Sequence, residues 1–123
     1  MNHKNYEQIE IPVIKKLYEL YRLTHSVIMK FPKHEKYSLG EKLECIILDS
    51  LELIIFGNYQ PKNFKEGYIL KANAKIEILK ILFRLAFSIK ALDDPSYLKT
   101  QQALQEIGKM LGGWLKYLKS EQK

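Results

Sequence analysis

Cysteine is almost absent from this chain, and the lack is informative. Cys45 is the single cysteine among 123 residues, so no internal disulfide and no cysteine-based zinc site can form. That usage fits a reducing compartment, and a cytoplasmic location is expected. With no histidine near it in sequence, Cys45 reads as a small buried or half-buried residue rather than a catalytic thiol. The three histidines, His3, His25 and His34, show no i,i+3 or i,i+4 pairing, which rules out a helical metal clamp. No Glu-x-x-His pattern appears either, so a di-iron bundle is not expected. Gly108-Lys109-Met110-Leu111-Gly112-Gly113 puts its lysine ahead of the glycine pair, the wrong order for a phosphate-binding loop. The most apolar stretch, Ile76 to Leu92, is interrupted by Glu77, Lys80, Arg84 and Lys90 and is too short and charged to span a membrane. No metal, cofactor, membrane segment or catalytic constellation is therefore expected, and the chain does not read as an enzyme.

Backbone breakers are also scarce, with 6 glycines and 4 prolines, which favours long helices over strands and turns. A hydrophobic fraction of 46% and a charged fraction of 28% are those of a globular protein. One domain over residues 1–123 is expected. Apolar residues recur at helical spacing in four segments. The first helix is predicted over about 11–30, from Pro12 in a first turn, through Ile14, Leu17, Tyr21, Thr24, Ile28 and Phe31, to the break at Pro32. The second is predicted over about 38–57, opened by a Ser38/Glu41 capping box and closed by Gly57-Asn58 in left-handed geometry. Its apolar stripe is Leu39, Leu43, Ile46, Ile47, Leu51, Ile54 and Ile55. A third covers about 64–91. The fourth, about 95–119, is expected to start at an Asp94 N-cap before Pro95, with Leu104, Ile107, Leu111, Trp114 and Leu118 as its core face. Glycines at 108, 112 and 113 inside it each cost about 1 kcal/mol against alanine, so a close approach by another backbone or bulky side chain is expected there. Four similar helices with short connections predict an all-α, antiparallel, up-down-up-down four-helix bundle.

The third helix differs from the others. On a wheel of about 100° per residue, Ala72, Ile76, Leu79, Phe83, Ala86 and Phe87 form one apolar line. Ile78, Ile81, Leu82, Leu85 and Ile89 form a second, separate one. A bundle core needs only one such line, and a second left in water makes an exposed patch that monomers avoid. The second line is thus expected to be an oligomer interface. A polar strip lies between the lines on one side and carries Lys80 and Arg84, one turn apart, with Glu77 placed to pair with Lys80. Lys71 and Lys75 sit on the second apolar line nearer its start, at the rim of any ring it builds. The charge is uneven. Residues 62–92 hold 7 basic and 2 acidic side chains, whereas 38–61 hold 1 basic and 4 acidic, within a total of +6. An excess of positive charge on the third helix suits a polyanion or an acidic partner.

Two stretches carry a family likeness. One is the break and restart from Phe31-Pro32-Lys33-His34 to Leu39-Gly40-Glu41-Lys42. The other pairs Ala72-Asn73-Ala74-Lys75-Ile76-Glu77-Ile78-Leu79-Lys80-Ile81-Leu82-Phe83-Arg84-Leu85-Ala86 with Glu106-Ile107-Gly108-Lys109-Met110-Leu111-Gly112-Gly113-Trp114-Leu115. From about Val13 to Lys119 the chain resembles Avd, the accessory variability determinant of diversity-generating retroelements. More distantly it is similar to the four-helix proteins encoded in intervening sequences of ribosomal RNA genes. The first resemblance implies a homopentameric barrel without activity of its own. It implies binding to the element's reverse transcriptase and its template RNA in support of mutagenic cDNA synthesis, and the net positive charge adds DNA as a further electrostatic ligand. It also implies that Lys80 and Arg84 match basic positions of the family's third helix, Lys80 standing where arginine is common. The alternative reading is an intervening-sequence-type bundle acting as a general oligomeric interaction or nucleic-acid-binding module.

Overall fold

The computed structural model describes residues 3–121, with side chains described for 12–120. Four long helices, α1 (His3–Ile28), α3 (Glu41–Asn58), α4 (Lys62–Ser88) and α5 (Asp94–Glu121), make up the bundle. A short α2 (Lys33–Glu35) and a π-helical turn (Lys36–Gly40) lead into α3. No strand occurs among the described residues. The helices pack in a closed cycle, α1 on α3, α3 on α4, α4 on α5 and α5 on α1, which is the arrangement of an up-down-up-down bundle. Among the described residues no helix is long and apolar enough to cross a membrane.

Each long helix lends one line to a shared core. From α1 come Val13, Leu17, Leu20 and Val27, from α3 Leu43, Ile46, Ile47 and Ile54. α4 adds Ile69, Ala72, Ile76, Leu79, Phe83 and Ala86, and α5 adds Leu104, Ile107, Leu111, Trp114 and Leu118. Full burial of such side chains stabilises the fold by about 1.5–3 kcal/mol each against exposure. The α1 face is turned slightly from the expected one. Val13, Leu20 and Val27 are buried, while Ile14 and Tyr21 only lean against the core. Ile55, expected in the α3 stripe, is exposed, because its side chain points away from both neighbouring helices.

The helix ends differ from expectation in instructive ways. α1 begins eight residues before the expected start and contains Pro12 within it. The restart after Pro32 comes at Lys33 rather than Ser38, and Ser38 donates its hydroxyl to the His34 carbonyl at 2.9 Å. No Ser38/Glu41 capping box forms, because Ser38 already lies inside continuous helical turns. Gly57 is helical and no described glycine has positive φ. Its role is space: an added Cβ would sit 2.8 Å from the Cβ of Tyr68 on α4. Gly40 does the same against Ile28, at 2.8 Å. Left-handed geometry appears instead at Lys90 (φ 66°). There the Lys90 N–H bonds the Phe87 carbonyl at 3.0 Å and the Ala91 N–H bonds the Ala86 carbonyl at 2.9 Å, the paired bonds of a Schellman stop. The cap of α5 is Asp93, not Asp94. Its carboxylate accepts the Ser96 N–H at 2.9 Å.

Candidate partner and nucleic-acid interface

α4 sits between α3 and α5 and therefore has three environments around its circumference. Its core line is fully buried. On the α3 side, the Lys75 ammonium lies 3.8 Å from the Asp49 carboxylate. On the α5 side, Gln101 donates its amide to the Lys80 carbonyl at 3.2 Å. Facing away from both neighbours are Ile78, Ile81, Leu85 and Ile89, exposed to between 43% and 58%. Leu70 continues this line toward the start of the helix at 47%. Leu82 is only half-buried and packs against the core edge. Four of the five residues expected at an oligomer interface thus lie in a row on the outer face, with Leu82 turned toward the bundle.

The four basic candidates do not form one cluster. Lys80 and Arg84 lie along the α4–α5 groove. The Lys80 ammonium bonds Glu77 at 2.8 Å and keeps 28% of its side chain exposed. Gly108 on α5 lies beside it, where an added Cβ would be 3.7 Å from Nζ. Arg84 is exposed and makes no ion pair among the described residues. Lys75 is held toward α3 by Asp49, and Lys71 lies 5.8 Å above the Tyr68 ring, a weak cation–π contact at an exposed site. Two pairs of cations therefore flank the exposed aliphatic row, one on each side. The arrangement offers a charged border around an apolar strip.

The glycines of α5 have no close backbone neighbour from another helix within the described subunit. Among the described residues nothing beyond the helix's own backbone comes within 4 Å of an added Cβ at Gly112 or Gly113, and Gly108 meets only Lys80 Nζ. Only Gly108 therefore has a neighbour of the expected kind, the end of the Lys80 side chain. The two glycines that do permit close packing are Gly40 and Gly57, and a hint was present in their position next to helix breaks facing a bulky neighbour. Cys45 is exposed, where a buried or half-buried site was expected, because α3 turns it outward between its contacts with α1 and α4. His25 bonds Glu44 at 2.8 Å across α1 and α3. No group of three or more potential metal ligands occurs among the described residues. A cleft of about 660 Å³ lies at the α4–α5 turn, lined by Val27, Lys30, Phe87 and Lys90 among others. None of the four basic candidates lines it.

The sequence model of the bAvd-like family matches residues 12–118, nearly the whole of the bundle. No curated protein matches the chain significantly.

Proposed function

The chain belongs to the bAvd-like family, the accessory proteins of diversity-generating retroelements, and from that premise we propose that it binds the element's reverse transcriptase and template RNA as a non-catalytic homo-oligomer. The pentamer implied by the family likeness is the expected form, working in the cytoplasm. The observation that carries this reading is the outer face of α4, where a row of exposed aliphatic side chains is bordered by Arg84 and Lys80 on one side and Lys71 and Lys75 on the other. The aliphatic row supports assembly. The cations support binding to phosphate or to an acidic protein surface, through charge-assisted hydrogen bonds roughly twice as strong as neutral ones. Five copies at +6 each bring about +30 to one particle, so RNA is held mainly by counterion release, DNA less selectively by the same term, and base preference is small.

Lys80 and Arg84 do little for the fold. The Lys80 side chain pairs only with Glu77 one turn away among the described residues, and surface pairs of this kind contribute about 0–1 kcal/mol. The double change Lys80→Ala, Arg84→Ala therefore keeps helical circular dichroism and particle mass while association with the reverse transcriptase and RNA falls at least about tenfold. Pull-down with the reverse transcriptase, together with RNA titration at low and physiological salt, is the test. Wild-type binding by the double variant, or RNA affinity indifferent to salt, refutes the proposal.

A further inference from the structure

Among the described residues only two helices expose aliphatic side chains in rows. One row is the α4 line already described. The other, sparser and mixed, is on α3, where the aliphatic Leu48 and Ile55 share a line with Glu41, Cys45 and Glu52 at steps of four, three, four and three, all exposed. Phe56 is exposed beside the last of them. The α3 row is about 21 Å long and the α4 row from Leu70 to Ile89 about 28 Å, at about 1.5 Å per residue. By contrast, the exposed positions of α5 hold one large hydrophobic residue, Leu98.

We propose that the α3 row is the mate of the α4 row, so that α4 of one copy docks on α3 of the next. This rests on the assembly put forward above and assigns its second surface. The charges choose between the available pairings. α4 holds 6 basic and 2 acidic residues, and α3 holds 1 basic and 4 acidic. Two α4 faces meeting about a twofold axis set cations against cations around the aliphatic contact. An α4 face on an α3 face sets Lys71 and Arg84 against acids instead. Glu41 and Glu52, which make no ion pair among the described residues, stand on the α3 row itself. Opposite potentials across a contact favour that pairing and penalise the other.

Such a contact uses different surfaces on the two copies, and closes only if the turn from copy to copy divides a circle. α3 and α4 occupy adjacent corners of the bundle, so their outer faces diverge by about 90° in an idealised square arrangement. A turn of about 90° closes with four copies and one of about 72° with five. The same geometry leaves the α1 and α5 faces outside the contact.

Cys45 reports on the proposal directly, because it is the sole cysteine and stands in the α3 row. Alkylation of native protein by a small maleimide is measured beside particle mass by light scattering. The wild type is expected to form a particle several times 14.5 kDa, with Cys45 reacting at least about tenfold more slowly than in the variant Ile81→Glu, Leu85→Glu, which is expected to be monomeric and helical. Glu41→Lys together with Glu52→Lys is expected to weaken assembly at least about tenfold and to restore Cys45 reactivity. An assembled particle whose Cys45 reacts as fast as in the monomer overturns the α3 assignment and leaves the proposed function standing. So does a dimer indifferent to the two reversals. A wild-type mass near 14.5 kDa overturns both the docking and the assembly, while the reverse-transcriptase pull-down still judges binding by the subunit.

Discussion

The inner faces of α3 and α4 are like those of α1 and α5, but their outer faces are not. All four helices bury one line of aliphatic and aromatic side chains in the same core. Outside, α4 shows Ile78, Ile81, Leu85 and Ile89 and α3 shows Leu48 and Ile55. Among the described residues, α1 instead shows Lys15, Glu19, Arg22 and His25 beside a single large hydrophobic residue, Tyr18, and α5 shows Gln102, Gln105, Glu106, Lys109 and Lys116 beside Leu98 alone. The two halves are stitched by ion pairs of similar kind, Lys16–Glu106 at 3.1 Å between α1 and α5 and Lys75–Asp49 at 3.8 Å between α3 and α4. Folding alone explains the inner lines of all four helices. It does not explain why two of them carry a second line, since a solvated outer face needs none. The contrast separates what holds the subunit together from what the subunit presents to others.

The most direct way to break this contrast is to truncate one side chain on each face of α4. Phe83 is fully buried, and Phe83→Ala should lower unfolding free energy by about 3–5 kcal/mol. Leu85, two residues on, is 46% exposed. Leu85→Ala should cost a dilute subunit less than about 1 kcal/mol, because a largely hydrated side chain loses little on truncation. Urea titration of both variants at protein concentrations where light scattering shows a monomer, in an Ile81→Glu background, checks the pair, and equal losses would mean that the outer row belongs to the subunit core.

Glycines sharpen the same comparison. Gly57→Ala places a Cβ 2.8 Å from Tyr68 Cβ, close to backbone that cannot yield cheaply. Overpacking of about 1–3 kcal/mol should outweigh the gain of about 1 kcal/mol in helix propensity. Gly112→Ala and Gly113→Ala meet nothing within 4 Å and should each stabilise the subunit by about 1 kcal/mol. Thermal unfolding of the three variants should therefore shift in opposite directions. A stabilised but binding-defective Gly112→Ala would show that the α5 face also serves a partner.

Thr24 tests the core side of α1. Its hydroxyl is buried and has no hydrogen-bond partner among the described residues. Thr24→Val keeps the shape and removes an unsatisfied group, so stability should rise by about 1 kcal/mol. A loss would show that the hydroxyl has a partner such as bound water. The smallest effect expected is at Asp93. The Ser96 hydroxyl and the Ser96 N–H hold its carboxyl below the ordinary carboxylate range, helped by Lys30 and Lys99. A lowered folded pKa contributes stability above the unfolded value and loses it as pH falls through the folded one. Asp93→Ala should then lower the melting temperature slightly at neutral pH and converge with wild type below the carboxylate range. A constant gap across that range would count against the cap.

Much of the bundle was legible because amphipathic periodicity is a local property, fixed by which residues lie three and four apart. The five core positions of α5 and the two separate apolar lines of α4 follow from that spacing alone, as does the segregation of Lys80 and Arg84 from Lys71 and Lys75. The family match over residues 12–118 rests on the same run of residues. Other features depend on which helix lies beside which. Only packing decides that Gly57 faces Tyr68 while Gly112 and Gly113 face nothing, or that Ile55 and Cys45 turn outward from a helix whose apolar residues outnumber its buried positions. Only packing sets Lys75 against Asp49 of α3 and Lys80 beside Gly108 of α5. The helix ends belong to the same class. Ser38 and Asp94 have the right chemistry for caps, but the chain was already helical at Lys33 and the free amide at the start of α5 was within reach of Asp93. A wheel gives the direction of a side chain from its own axis, and contact requires the position of a second axis, which sequence spacing does not contain.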